Sequence, residues 1–146
     1  MARKQPFTIE EFEFIYSRVP RVTVDLVIRS SRGILLTLRQ KHGWLGQWHL
    51  PGGTIYLGEK VLDTVHRVAE EEVGLKLEVE KFLGYNEFPS ESKERGYGYS
   101  IALVFLCRPL SENVTLDHLA EDFDFFETLP EKMIAEQKEF LLKNLL

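Results

Sequence analysis

Apolar positions along the chain change period several times, and each change marks an element. Residues 8–17, TIEEFEFIYS, place Ile9, Phe12 and Ile15 or Tyr16 at helical spacing behind Thr8, a capping residue type, and predict a short opening helix. After Pro20 the period shortens. RVTVDLVIR and GILLTLR, separated by SSR with Gly33 opening the second run, predict a β-hairpin. The aromatic and glycine-rich QKHGWLGQWHLPGGT follows, and its PGG predicts a tight turn that brings bare backbone close to another group. Val61, Leu62, Val65, Val68, Ala69 and Val73 then recur with a helical period from Lys60 to Val73, and Gly74 supplies a C-terminal stop. LKLEVEKFLGYNEF and YGYSIALVFLC predict two long strands joined by the polar loop PSESKERG. DFDFFE predicts one more strand, and a closing amphipathic helix is expected from about Pro130 to Leu145, with proline in its first turn. No repeat or low-complexity linker interrupts the chain, so a single domain over residues 1–146 is expected.

The central helix carries an anomaly. It ends in Glu70, Glu71 and Glu72, where the helix dipole is already negative. With about 100° per residue and Val68 at zero, Glu72 falls at about 40°, inside the apolar sector, whereas Glu71 flanks that sector at about −60° and Glu70 points to solvent near 200°. An ionised carboxylate on an apolar stripe must be paired, protonated or bound to a cation. Geometry alone leaves several readings for Glu72: an ion pair with Arg67, Arg39 or Lys60, a frayed last turn, or a bound cation.

Composition narrows the chemistry. The chain is 44% hydrophobic and 28% charged, within the globular range, and its net charge of −5 argues against an extended nucleic acid or an anionic membrane as partner. A local basic pocket for a small anionic ligand stays compatible with that charge. The only cysteine, Cys107, lies in the apolar run SIALVFLC, so a buried thiol and a reducing, cytoplasmic setting are expected. MARKQPFTIEEFEF has no long apolar stretch of the signal-peptide or membrane-anchor kind.

The segment GGTIYLGEKVLDTVHRVAEEEVGL resembles the Nudix box in register, with Gly53, Glu59, Arg67, Ala69, Glu71, Glu72, Gly74 and Leu75 at matching positions. Val68 departs from it, standing where the family has the Glu after Arg. The resemblance implies an α/β fold of the α+β kind, an α/β/α sandwich with a mixed β-sheet and a loop–helix–loop catalytic motif. It also implies Mg²⁺ or Mn²⁺ held between the helix carboxylates and a small-molecule nucleotide substrate. Carried over residue by residue, Glu71 and Glu72 become metal ligands, Gly52 or Gly53 adds a backbone carbonyl, and Glu59 pairs with Arg67.

FTIEEFEFIYSRVPRVTVDLVIRSSRG with GQWHLPGG is similar to the GDP-mannose mannosyl hydrolase branch of that family. That branch cleaves the sugar C–O bond, places an Arg soon after its second strand to contact phosphate, here Arg39, and implies a homodimer. Two positions differ from it. Thr54 follows PGG where the branch has Arg, and Ala120 stands where it has a catalytic His, with His118 two residues away. Glu121 and Asp122 are then candidates for a further metal ligand or a carboxylate base, against ordinary surface acids. Trp44, Trp48, Tyr97 and Tyr99 are candidates to stack on a base or sugar, with core packing the better reading for Trp48. Arg95 and Lys93 are candidate phosphate contacts, against a solvated loop. The expected activity is therefore hydrolysis of a nucleoside diphosphate linked to another group. Nucleoside triphosphate or ADP-ribose hydrolysis and a non-catalytic nucleotide-binding module are the alternatives.

Overall fold

In the computed structural model, which describes residues 5–146, the opening helix α1 spans Ile9–Tyr16 and is closed by Thr8, whose side chain accepts the Glu11 N–H while Glu11 returns a carboxylate to the Thr8 N–H. Strands β1 (Arg21–Ser30) and β2 (Gly33–Arg39) form the expected hairpin, with Ser30 opposite Gly33. Gly33 is required there: its φ is +114°, and a Cβ would lie 2.3 Å from the Phe126 carbonyl carbon.

The PGG segment is not a turn. Gly52–Thr54 is a short strand, β4, antiparallel to the first half of β1, after the two-residue strand β3 (Trp48–His49) on β2. Bare backbone is nonetheless needed, since a Cβ on Gly52 would sit 2.5 Å from Asp25 Oδ1 and one on Gly53 2.9 Å from Val68 Cγ2. Helix α2 (Val61–Val73) ends at Gly74 in the left-handed region, as its sequence predicts. Strand β5 (Leu77–Glu87) pairs antiparallel with β6 (Ser100–Pro109), and β6 runs parallel to β1. The polar loop between them contains a short helix, α3 (Glu91–Arg95), that strand and turn signals do not announce. β7 (Ala120–Phe126) adds to β2.

The closing helix α4 spans Ala135–Asn144, starting later than Pro130 suggests. The reason is pairing: Trp48 N–H donates to the Lys132 carbonyl and Ile134 N–H to the Trp48 carbonyl, so residues 132–134 are held as an extended bridge.

The sheet is mixed, in the order β3-β2-β1-β6-β5 with β4 on β1 and β7 on β2. Strand alternation divides its apolar residues between two layers. Val24, Leu26, Ile28, Leu35, Phe105 and Cys107 pack with Val65, Val68, Ala69 and Val73 of α2. Val27, Ile34, Leu36, Val104 and Leu106 pack with Phe140 and Leu141 of α4 on the other face. This is the helix–sheet–helix sandwich that the sequence implies. Cys107 is fully buried, and burial pushes its thiol up to about 12. Among the described residues, no helix is long and apolar enough to cross a membrane.

Candidate active site

β1, β2, β4, α2 and α3 surround one cavity of about 390 Å³. On its α2 side the organising residue is Arg67, which is 8% exposed. Its Nε and Nη2 donate to Glu59 at 2.8 and 3.0 Å, its Nη1 to Glu71 at 3.1 Å, and its Nη2 also to the Thr54 carbonyl at 2.7 Å. Tyr56 covers the guanidinium, 4.0 Å from ring centroid to Cζ. Arg67 hydrogen bonds, joined by those from Thr64 and the Tyr56 N–H, hold the Glu59 carboxyl down near about 2. A helical wheel places Glu59 and Arg67 on different sides, yet the two meet. Glu59 precedes the helix, and its N–H bonds back to the Tyr56 carbonyl, so the turn folds its side chain under Arg67.

Glu72 faces the cavity half-buried and, among the described residues, has no cationic partner in hydrogen-bond contact; its Oε1 accepts the Gly52 N–H, at 3.3 Å. Burial, then the nearby Asp117 charge, pushes its carboxyl up to about 8. Of the readings open for Glu72, neither the frayed turn nor an ion pair with Arg67, Arg39 or Lys60 is formed: α2 runs on to Val73, and Arg67 is committed to Glu59 and Glu71. Val68 is 1% exposed and packs against Gly53, so an apolar side chain fills the position between Arg67 and the acids.

On the opposite side stand Arg21, Arg39 and Arg95. Arg39 donates to the carbonyls of Gly43 (2.9 Å) and His42 (2.8 Å) and stacks over Trp44, while its Nη1 donates to no described residue. Burial and the Arg95 charge lower its guanidinium to about 10. Trp44 is nearly buried, pinned by its Nε1–H to Ser90 Oγ at 3.0 Å, and lines the cavity as a wall. Thr54 is buried between the two sides: its hydroxyl accepts from Arg21 Nη1 at 2.8 Å and its carbonyl from Arg67.

The structure thus brings together Gly52, Gly53, Thr54, Arg39, Trp44, Arg67, Glu71 and Glu72, with Glu59 beneath Arg67. It does not bring Glu121 to them. Glu121 is exposed on β7 and Asp117, in the preceding segment, lines the cavity instead. His118 is also exposed, its carbonyl held by Gln40. Trp48 packs edge-on against Phe126 in the α4 layer, as expected of a core residue.

Sequence reasoning missed Arg21, Asp25, Glu91 and Asp117. Asp25 had a signal: it is the one charged residue inside VTVDLVI. It is 6% exposed, its Oδ2 accepts from Gln137 Nε2 at 3.1 Å, and burial raises its carboxyl to about 7. Gln137 Oε1 in turn accepts the Leu50 N–H at 2.9 Å.

His49, at the cavity floor, is a neutral imidazole. Its Nδ1–H donates to the Leu50 carbonyl at 2.8 Å and Thr37 Oγ1 donates to its Nε2 at 3.0 Å. Burial lowers it to about 3, so the stability it contributes is complete above its unfolded value near 6.5 and is lost as pH falls toward 3. His49→Asn keeps a donor for Leu50 and removes the titration. The wild-type-minus-variant difference in unfolding free energy is expected to fall by about 1.4 kcal/mol per pH unit between pH 6 and 4, read by urea denaturation. Parallel pH profiles would contradict it.

The NUDIX domain family model matches residues 19–143. A low-salt glycan biosynthesis protein, Agl8, of Haloferax volcanii is 35% identical over 121 residues, covering 81% of this chain and 78% of the relative. An ADP-ribose pyrophosphatase of Methanocaldococcus jannaschii is 30% identical over 125 residues, 86% of this chain and 72% of that protein. The crystal structure of a MutT NUDIX hydrolase from Burkholderia pseudomallei superposes with a TM-score of 0.77 at 26% identity, over 88% of this chain and all (100%) of that one. With its fold, its arginine-anchored acidic helix and these relatives in agreement, the chain belongs to the NUDIX hydrolase family.

Proposed function

We propose that the protein is a Mg²⁺- or Mn²⁺-dependent hydrolase of nucleoside diphosphates linked to a second moiety, with nucleotide sugars as the favoured class. One observation carries this reading. A single cavity is lined by Glu71, Glu72 and Asp117 and also by Arg39, offering oxygen ligands for a cation and donors for the diphosphate in the same space. Among the described residues, no three His, Cys, Asp or Glu side chains form a metal site by themselves. That suits Mg²⁺, which keeps several waters and takes one or two carboxylates with substrate phosphates completing its shell. Glu71, Glu72 and the Gly52 carbonyl are the assigned protein ligands. When bound, the cation neutralises the diphosphate and stabilises the departing nucleoside diphosphate or the phosphorus under attack.

The chain's own residues do the rest. Arg67 fixes the Glu71 carboxylate and, through Thr54, the strand that carries Gly52 and Gly53. Arg39 points unspent donors at phosphate. Asp25, near about 7 and oriented by Gln137, is placed to accept a proton from the attacking water at neutral pH. Val68 supplies no third helix carboxylate, which favours one cation.

The Haloferax relative's glycan biosynthesis name supports the sugar class; the Methanocaldococcus relative's name supports ADP-ribose as a second reading. A panel of nucleotide sugars, nucleoside triphosphates and dinucleotides with Mg²⁺ in ¹⁸O-water separates them. Label in free sugar is expected from attack at carbon. Label in phosphate would assign attack at phosphorus, and a wholly inert panel with nucleotide still bound would replace the enzyme by a binding module. A cytoplasmic homodimer belongs to the same proposal, supported by the apolar, unburied α1 with Ile9 80% and Phe14 60% exposed.

A further inference from the structure

Arg21, Glu91 and Arg95 form a charged cluster in the cavity, separated from the α2 acids by Thr54. Arg21 opens β1, while Glu91 and Arg95 lie one turn apart on α3. Glu91 Oε2 lies 3.5 Å from Arg21 Nη2 and 3.8 Å from Arg95 Nε. Both separations exceed the roughly 2.7–2.9 Å of a charge-assisted N–H···O bond. Glu91 is 1% exposed, yet among the described residues its Oε1 accepts no hydrogen bond, and the buried Arg95 Nε donates none. Arg21 spends Nη1 and Nη2 on the neutral hydroxyls of Thr54 (2.8 Å) and Ser100 (3.2 Å).

Two guanidiniums therefore share one carboxylate without a close bond to it. Phe12 of α1 lies against both, its ring centroid 5.3 Å from Arg21 Cζ and 5.8 Å from Arg95 Cζ, and Tyr97 lies 5.8 Å from Arg95. These rings bring an apolar face but no full counter-charge. A cluster serving stability alone would close its ion pairs, because buried charge left unpaired is costly. Here the surplus is positive, with Arg39 adding to it from the adjoining wall, in a chain whose net charge is −5. Guanidinium forks match carboxylate and phosphate oxygens in pairs.

We propose that Arg21 and Arg95 form a subsite for a second anionic group, a carboxylate or a phosphate, carried on the moiety attached to the nucleoside diphosphate. This rests on the reading of the cavity as a site for such linked substrates. The diphosphate lies between the α2 acids and Arg39, and the attached moiety extends past Thr54 under Phe12. The enzyme then selects acidic substituents over their neutral counterparts.

The test uses matched pairs: UDP-glucose against UDP-glucuronic acid and GDP-mannose against GDP-mannuronic acid for carboxylate, NAD against NADP for phosphate. Dissociation constants are measured by calorimetry and kcat/KM in parallel. In the wild type, the acidic member of at least one pair is expected to bind more tightly by about tenfold or more. In Arg95→Gln and Arg21→Gln that ratio falls to near unity, while the neutral member's affinity is little changed. Arg95→Lys, which keeps the charge and loses the fork, retains part of the preference. Circular dichroism identifies any variant that fails to fold, and the remaining variants decide. Equal binding of acidic and neutral members in every pair, or a preference that survives the Gln substitutions, overturns the subsite. Acidic preference without hydrolysis of any compound removes the hydrolytic function and keeps the subsite; hydrolysis of both members alike does the reverse.

Discussion

Glu72→Gln is expected to abolish metal-dependent turnover while leaving the protein folded. Changing groups that merely support a metal ligand typically costs 10–100-fold, so removing a direct ligand is expected to lower kcat by at least about a hundredfold. The fold survives because Glu72 anchors little: among the described residues its carboxylate makes one long hydrogen bond, with the Gly52 N–H, and no ion pair. The Gln amide oxygen can accept that same N–H. A Mg²⁺ titration of turnover, with circular dichroism and a thermal melt on the same sample, checks both halves. Undiminished turnover would remove Glu72 from the ligand set, and loss of fold would make it a structural residue.

Arg67→Met reverses that pattern, with stability as the first casualty. Arg67 is buried and joins the turn before α2 through Glu59, the helix through Glu71, and β4 through the Thr54 carbonyl. Methionine fills much of the volume but leaves the nearly buried Glu59 without its cation. Removing one partner of a buried pair costs about 3–5 kcal/mol. For a chain of this size, that lowers Tm by roughly 10 °C or more. Because the penalty is an uncompensated charge, adding Glu59→Gln to Arg67→Met is expected to cost less than the sum of the single changes, read from urea unfolding curves. Strict additivity would mean the two side chains do not act as a pair. The contrast between Glu72 and Arg67, if both results are obtained, would separate the proposed ligand from the scaffold on a single helix.

Helical periodicity made α2 legible, because Val61, Val65, Val68, Ala69 and Val73 repeat on one face and Gly74 ends them. The same wheel singled out Glu72 and set Glu70 aside, and both placements hold. It failed for Glu59, which sits before the helix, where a wheel has no meaning. The hairpin of β1 and β2 was legible from local turn chemistry. The extended bridge of residues 132–134 was not, because it is imposed by Trp48, far away in sequence. Arg95 and Lys93 read as candidate phosphate contacts or a solvated mixed-charge loop; only the folding of α3 turns Arg95 inward beside Glu91 and leaves Lys93 exposed. Asp117 and Glu121 illustrate the same limit: both are acids near one loop, and only the path of the chain decides which one faces the cavity.

The Gln137 amide ties Asp25 and the Leu50 backbone together across 112 and 87 residues of sequence. Asp25 lies in β1 and Gln137 in α4, so the floor of the cavity is completed by an element far away in sequence. Contacts of such long range are formed late, after their loop-closure entropy has been met. A fragment lacking α4 would keep the acidic helix and every arginine of the cavity in its sequence yet lack the group that orients Asp25. The cavity floor is thereby coupled to the docking of α4 on the sheet, and loosening that helix would release Asp25 and the Leu50 backbone together.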